Sequence, residues 1–146
     1  MKIDKKILLN VVDRIMTDMF FLFPDMDDNG EQLTDGEPKE GCKDVGIHFN
    51  TDVYLHFEID IGLLKEMASN FMGRSLDSLT DEDLNSMAIE TANIIGGNYL
   101  VEVDPDHEHS LCIPHFIEEE TDVSEGEWSI SFVSEGNVLR ITPLQR

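Results

Sequence analysis

Two short stretches constrain this chain more than anything else in it. Val45 to Phe49 and Val53 to Ile59 alternate apolar with polar residues, and Asn50-Thr51-Asp52 is all that separates them. A period of two marks a strand with one buried face, and so short a gap forces antiparallel pairing. The spacing predicts a β-hairpin, so the rest of the fold has to be built around an antiparallel sheet.

The C-terminal third supplies more of the same. Trp128 to Val133 and Val138 to Thr142 read as strands joined by Ser134-Glu135-Gly136-Asn137, a good turn composition. Leu111 to Ile117 reads as another strand, with Tyr99 to Val103 a candidate fourth. Helical periodicity appears elsewhere. Ile3 to Phe23 places Ile7, Leu8, Val11, Val12, Ile15, Met16, Met19 and Phe20 at helical spacing, and Pro24 is expected to end that helix. Ile61 to Met72 predicts a second helix, stopped near Gly73, and Ser75 to Leu79 a linker. Thr80, followed by Asp81, Glu82 and Asp83, has the form of an N-cap with acids in the first turn; the helix it opens should run to about Asn98. Asp25 to Gly41, rich in acid, Gly and Pro, reads as a surface loop. The fold class is therefore α+β, an antiparallel sheet with long helices packed on it.

Size and charge narrow the function. A chain of 146 residues suits one domain, spanning 1–146, with a core that needs no disulfide or metal staple. A net charge of −21 repels nucleic acid and anionic membranes. No apolar run approaches the roughly 20 residues that span a bilayer. Met1 to Phe23 is basic and then apolar, but Asp13, Arg14 and Asp18 interrupt it and no cleavage site follows, so an amphipathic helix is expected there rather than a secretory signal. Cys42 and Cys112 are too few for a disulfide framework. A cytoplasmic protein is the simplest expectation.

The third helix carries the candidate chemistry. At about 100° per residue, Leu84, Met87, Ala88, Thr91, Ala92, Ile94, Ile95 and Tyr99 fall on one side. Ser86, Glu90, Asn93 and Gly97 fall together on the other, with Ile89 and Leu100 at the border. A Glu and an Asn on a solvent face usually do nothing but face solvent. Two details point further. Asn competes for backbone hydrogen bonds in mid-helix, and each glycine of Gly96-Gly97 costs roughly 1 kcal/mol there relative to Ala. A glycine on the exposed side would let another protein's backbone come close.

Ser86-xxx-Glu90-xx-Asn93, followed by Gly97, resembles the Asp/Ser-xxx-Glu-xx-Asn-xxx-Gly signature of the CheC, CheX and FliY phosphatases. Pro114 fits the family's proline roughly twenty residues past the Asn, and Ala68, Met72 and Gly73 fit the approach to the signature helix. The resemblance spans about residues 45 to 143. On the first helix the corresponding register is Asp13, Thr17 and Phe20, without the Glu/Asn pair, which is similar to the one-site CheX rather than the two-site CheC. The Asp25 to Gly41 loop is longer and more acidic than the family pattern leads one to expect.

The resemblance implies a CheC/CheX-like fold and a homodimer that hydrolyses the aspartyl-phosphate of a phosphorylated CheY-like response regulator. Asn93 would orient the attacking water, Glu90 would dock the regulator's lysine, and Ser86 and Gly97 would border the contact. The protein would need no cofactor of its own, since the receiver supplies Mg²⁺. The alternative is a binding module of the same fold, acting on a regulator or a flagellar switch component. The edge of the short terminal strands, Trp128 to Thr142, could pair with a second chain, though the sequence does not single out the strand that makes the dimer contact.

Two metal constellations compete. Asp25-Met26-Asp27-Asp28-Asn29-Gly30 begins like a calcium loop, but the twelfth position is Gly36 and Glu37 comes one residue late. A solvated acidic loop is the better reading. His107, His109, Cys112 and His115 offer four soft ligands within nine residues. Their parities differ, Pro114 intervenes, and the spacing matches no closed zinc pattern.

Overall fold

A computed structural model of the chain describes residues 2–49, 53–117 and 126–145. The elements run α1 (Lys5–Asp18), β1 (Lys43–His48), β2 (Val53–Ile59), α2 (Ile61–Met72), α3 (Asp81–Val103), β3 (His115–Phe116), β4 (Ile130–Ser134) and β5 (Asn137–Gln145). A 3₁₀ turn, Leu76–Ser78, lies within the expected linker. The sheet has the order β3-β1-β2-β5-β4, and every pairing in it is antiparallel.

Register explains which face is covered. Val45 pairs with Phe57 and Phe57 with Ile141, while Ile47 pairs with Leu55 and Phe132 with Leu139. All are buried in the cluster they share with Leu8, Val12, Met16, Leu64, Met67, Ala88 and Ala92 of the helices. Alternate rungs, such as Asp44, Glu58, Arg140 and Ser131, project to the opposite face.

The expected hairpin forms; its turn residues, Asn50-Thr51-Asp52, lie outside the described residues. The turn between β4 and β5 has Glu135 at φ 51° and Gly136 at φ 77°. Two successive positive φ values are what a two-residue hairpin needs to match strand twist. β4 is shifted towards the C-terminus, starting at Ile130, and β5 is longer than expected at both ends, running from Asn137 to Gln145.

Three expectations need correction. The first helix stops at Asp18, well before Pro24: Phe21 turns left-handed at φ 56°, and the Leu22 N–H bonds to the Met16 carbonyl. Tyr99 to Val103 is not a strand but the end of α3. Tyr99 is fully buried and its hydroxyl accepts the Asp4 N–H at 2.8 Å, so tertiary packing overrides a β-prone local composition. Leu111 to Ile117 shrinks to His115–Phe116 plus one bridge between Leu111 and Phe49, because Pro114 removes a ladder donor between them.

The terminal strands do not offer an open edge over their described length. The Asp25 N–H donates to the Val133 carbonyl at 2.7 Å, and the Ser131 N–H donates to the Thr34 carbonyl at 3.2 Å. The acidic loop thus covers β4 from outside, and β5 lies between β2 and β4. These bonds occupy part of the edge at which a second chain could pair. No described helix is long and apolar enough to cross a membrane.

Candidate active site

α3 begins with a complete capping box. The Asp83 N–H donates to Thr80 Oγ1 at 3.1 Å, and the Thr80 N–H donates to Asp83 Oδ2 at 2.9 Å. That backbone bond from Thr80, together with the Arg74 guanidinium 3.1 Å away, holds the Asp83 carboxyl below its ordinary value. Leu84, Met87, Ala88, Thr91, Ala92, Ile95, Gly96 and Tyr99 face inward. The one hydroxyl among the aliphatic positions is satisfied locally, Thr91 Oγ1 donating to the Met87 carbonyl at 2.6 Å. The capping box at its start and the buried Tyr99 near its end anchor the helix, and this fixes which residues its outer face presents.

That outer face carries Ser86, Glu90 and Asn93, all exposed, with Gly97 half-buried beside them. Ile89, Ile94 and Leu100 are partly buried against the core at the margins; Ile94 sits nearer the border than its expected core position. Among the described residues, the side chains of Ser86, Glu90 and Asn93 make no hydrogen bond or ion pair. A carboxylate and a carboxamide therefore stand three residues apart on a fixed surface, with their hydrogen-bonding capacity free.

The two glycines have different reasons for being glycine. A Cβ on Gly96 would lie 3.2 Å from Leu111 Cδ1 and 3.3 Å from Ile47 Cδ1, so close packing under the helix accounts for it. A Cβ on Gly97 would meet only Leu111, at 3.9 Å, which is ordinary contact. Among the described residues, no close contact requires the helix to accept the cost of glycine at 97.

The rival constellations are placed elsewhere. Asp25 accepts the N–H groups of Glu135 and Gly136, at 2.8 and 2.9 Å, and Asp27 accepts those of Asn29 and Glu31, at 2.8 and 2.9 Å. These carboxylates shape a turn and tie it to the β4–β5 hairpin. The four soft ligands do not converge as a set. His115 stacks on His48 at 5.4 Å, Cys112 is exposed, and His109 turns towards Asp104, its Nδ1 3.5 Å from Oδ2. Asp104, Glu108 and His109 are near enough to one another to hold an ion, as are Cys42, Asp44 and Glu58. Asp104, the residue after the end of α3, already uses its carboxylate to accept the Glu108 and His109 N–H groups of the following turn. Burial first, then the Asp44 and Glu58 carboxylates, push the Cys42 thiol up to about 11. Neither group lies on the outer face of α3.

Comparison with known proteins decides the family. A family model described as "Chemotaxis phosphatase CheX" matches residues 45–129. The chain belongs to the CheX family. Among curated proteins, none matches the sequence. A CheX–CheY–BeF₃–Mg²⁺ complex from Borrelia burgdorferi is similar at 18% identity and TM-score 0.68, covering 99% of this chain and 98% of that one. CheX from Vibrio vulnificus is similar at 17% identity and TM-score 0.68, covering 97% and 95%. The FliM middle domain from Vibrio alginolyticus is more distant, at 10% identity and TM-score 0.54, covering 96% and 89%. At these identities the solved structures show a shared fold.

Two features of this surface escaped the sequence pattern. Val101, 66% exposed, continues the outer stripe one turn past Gly97, where the sequence pattern favours a strand. Leu111 reaches across to both glycines, a contact that separation along the chain hides.

Proposed function

We propose that this CheX-family protein is a phosphatase for the aspartyl-phosphate of a CheY-like receiver domain. The observation that carries the reading is the exposed Glu90/Asn93 pair, without a hydrogen-bond partner among the described residues, beside an open Gly97. Support also comes from the family and from a structural relative solved with CheY, beryllofluoride and Mg²⁺.

The receiver brings Mg²⁺ and a lysine to the acyl phosphate, so charge on the transferred phosphoryl is already met; this protein adds no metal of its own. What remains is to position the attacker. Phosphoryl transfer passes through a loose transition state with little bonding to the nucleophile, so holding one water in line is a large part of the work. The Asn93 carboxamide accepts a hydrogen bond from that water and donates one towards the phosphoryl oxygens without changing its protonation state. The water oxygen bonds to phosphorus as the phosphorus–oxygen bond to the receiver aspartate breaks. The aspartate leaves as a carboxylate, and the water's protons remain with inorganic phosphate or solvent. Glu90 pairs with the receiver lysine and fixes the register, while Ser86 borders the contact and Gly97 admits the receiver backbone.

The same fold is shared by the FliM middle domain, so a non-catalytic module that holds a regulator or switch component is the competing reading. The discriminating experiment follows phosphate loss from each phosphorylated receiver of the source genome, with this protein present at substoichiometric amounts. Many turnovers per chain support the phosphatase; stoichiometric capture without acceleration supports the module. A homodimer remains part of the proposal. A monomeric mass in light scattering at micromolar concentration would remove it.

A further inference from the structure

The chain leaves α3 through a tight reversal, Asp104 to His109. Pro105 has no N–H to continue the ladder and crowds the residue before it, which stands at φ −134° and ψ 64°. The His107 N–H then bonds to the Asp104 carbonyl at 3.1 Å, with His107 itself left-handed at φ 57°. The reversal brings Glu108 and His109 back to the Asp104 side chain, which is only 7% exposed. Ligand atoms of Asp104, Glu108 and His109 all lie within 4.8 Å of one another.

A second observation concerns the imidazole. His109 Nδ1 is buried and has no hydrogen-bond partner among the described residues. It lies 3.5 Å from Asp104 Oδ2, beyond the roughly 2.7 to 3.2 Å of an N–H···O bond. Two ligand atoms bound at about 2.0 to 2.2 Å to one tetrahedral ion stand about 3.3 to 3.6 Å apart. The pair therefore has the spacing of neighbours in a coordination shell. The bonds Asp104 already makes are compatible with that role. The Glu108 N–H bonds to Oδ1 at 3.0 Å and the His109 N–H to Oδ2 at 2.6 Å, which fixes the carboxylate and leaves each oxygen a lone pair. The cluster of Cys42, Asp44 and Glu58 differs on this point. Arg140 bonds both oxygens of Glu58, and His56 lies against Asp44.

The geometry points to a structural site for a divalent transition-metal ion, Zn²⁺ by its donor set, held by Asp104, Glu108 and His109 Nδ1. Two carboxylates and an imidazole suit such an ion, whereas Mg²⁺ and Ca²⁺ favour oxygen alone. Glu108 is exposed, so its side chain can close on the ion, and water takes the remaining position. A net charge of −21 favours entry of a cation. The ion ties the end of α3 to the segment whose Leu111 packs against Gly96 and Gly97. It takes no part in the chemistry proposed for the outer face of α3 and does not depend on that reading.

The test uses the full chain, stripped of metal with a chelator and titrated with Zn²⁺ in a millimolar excess of Mg²⁺ that occupies the diffuse acidic surface. Calorimetry should show one Zn²⁺ bound per chain, and the thermal midpoint should rise with Zn²⁺ concentration. Glu108→Gln and His109→Gln change side chains outside the hydrophobic core. Each should weaken binding by at least about tenfold and abolish the rise in midpoint. Asp106→Asn removes the same charge from the same turn and should bind as wild type does, and so should Cys42→Ser. Nitrogen NMR of the histidine rings should show His109 Nδ1 moving to a metal-bound shift. Unchanged affinity in Glu108→Gln and His109→Gln would overturn the site. An equal loss in Asp106→Asn would do so too, leaving an adventitious ion only, attracted by diffuse charge. Binding lost in Cys42→Ser would move the ion to the open face of the sheet and likewise overturn the inference.

Discussion

Two groups of polar side chains on this molecule look alike in composition and differ in what they touch. On the open face of the sheet, Arg140 makes two bonds to Glu58, at 2.9 and 3.0 Å, and His56 Nε2 lies 2.8 Å from Asp44 Oδ1. Cys42 sits against Asp44 at 3.9 Å. Each finds its partner within the chain. On the outer face of α3, Ser86, Glu90 and Asn93 are held just as firmly by the backbone beneath them but find no partner among the described residues. Titratable and metal-binding residue types are denser in the first group, yet its bonds run inward and serve the fold. The second group is poorer in such residues and is left open to a partner. Satisfaction of hydrogen bonds, more than residue type, separates the two.

Mutation should pull the groups apart along that line. Glu90→Ala should leave the thermal midpoint within about a degree, since the side chain is exposed and makes no hydrogen bond or ion pair among the described residues, yet weaken receiver docking by roughly 1 to 3 kcal/mol, the range for a lost charge-assisted hydrogen bond. Calorimetry with a beryllofluoride-loaded receiver reads that number, and unchanged affinity would place Glu90 outside the contact. Arg140→Ala should do the reverse. It leaves Glu58 partly buried with its charge unpaired, at a cost of about 1 to 2 kcal/mol once partial exposure is allowed for. Urea unfolding should show that loss with dephosphorylation of the receiver intact; a drop in turnover without a drop in stability would erase the distinction.

The smallest effects separate the neighbouring glycines. Gly97→Ala should stabilise the chain by about 0.5 to 1 kcal/mol, because Ala suits a helix and its Cβ meets ordinary contacts, while docking weakens. Gly96→Ala should gain less or lose, since its Cβ would have to displace Leu111 and Ile47. Equal melting shifts in the two variants would contradict the packing reason given for Gly96.

Much of this is legible in the amino-acid sequence. The hairpin around 45–59, the capped start of α3 and its two faces follow from period and capping chemistry, which are local and act alone. The site stripe was legible for the same reason: one helix positions all four residues. What could not be read depends on distant partners. Tyr99 belongs to a helix because Asp4, 95 residues away, bonds to its hydroxyl. The first helix ends where Phe21 turns left-handed, well before Pro24. The acidic loop has the composition of solvated chain, yet Asp25 and Thr34 close the edge of β4, which the strand pattern alone left open. The reasons for Gly96 likewise lie in Ile47 and Leu111, on other elements.

The central claim is that Asn93 serves chemistry and not folding, and one paired measurement addresses it directly. Wild-type and Asn93→Ala protein are melted side by side, then each is added at saturating receiver to follow loss of aspartyl-phosphate. Asn93→Ala should match the wild-type stability to within about 0.5 kcal/mol. Its rate should fall on the order of 10²- to 10³-fold, the loss typical of one preorganised group. A folded Asn93→Ala protein that keeps more than about a tenth of the wild-type rate, well short of that loss, would contradict the account and leave the binding module as the better reading.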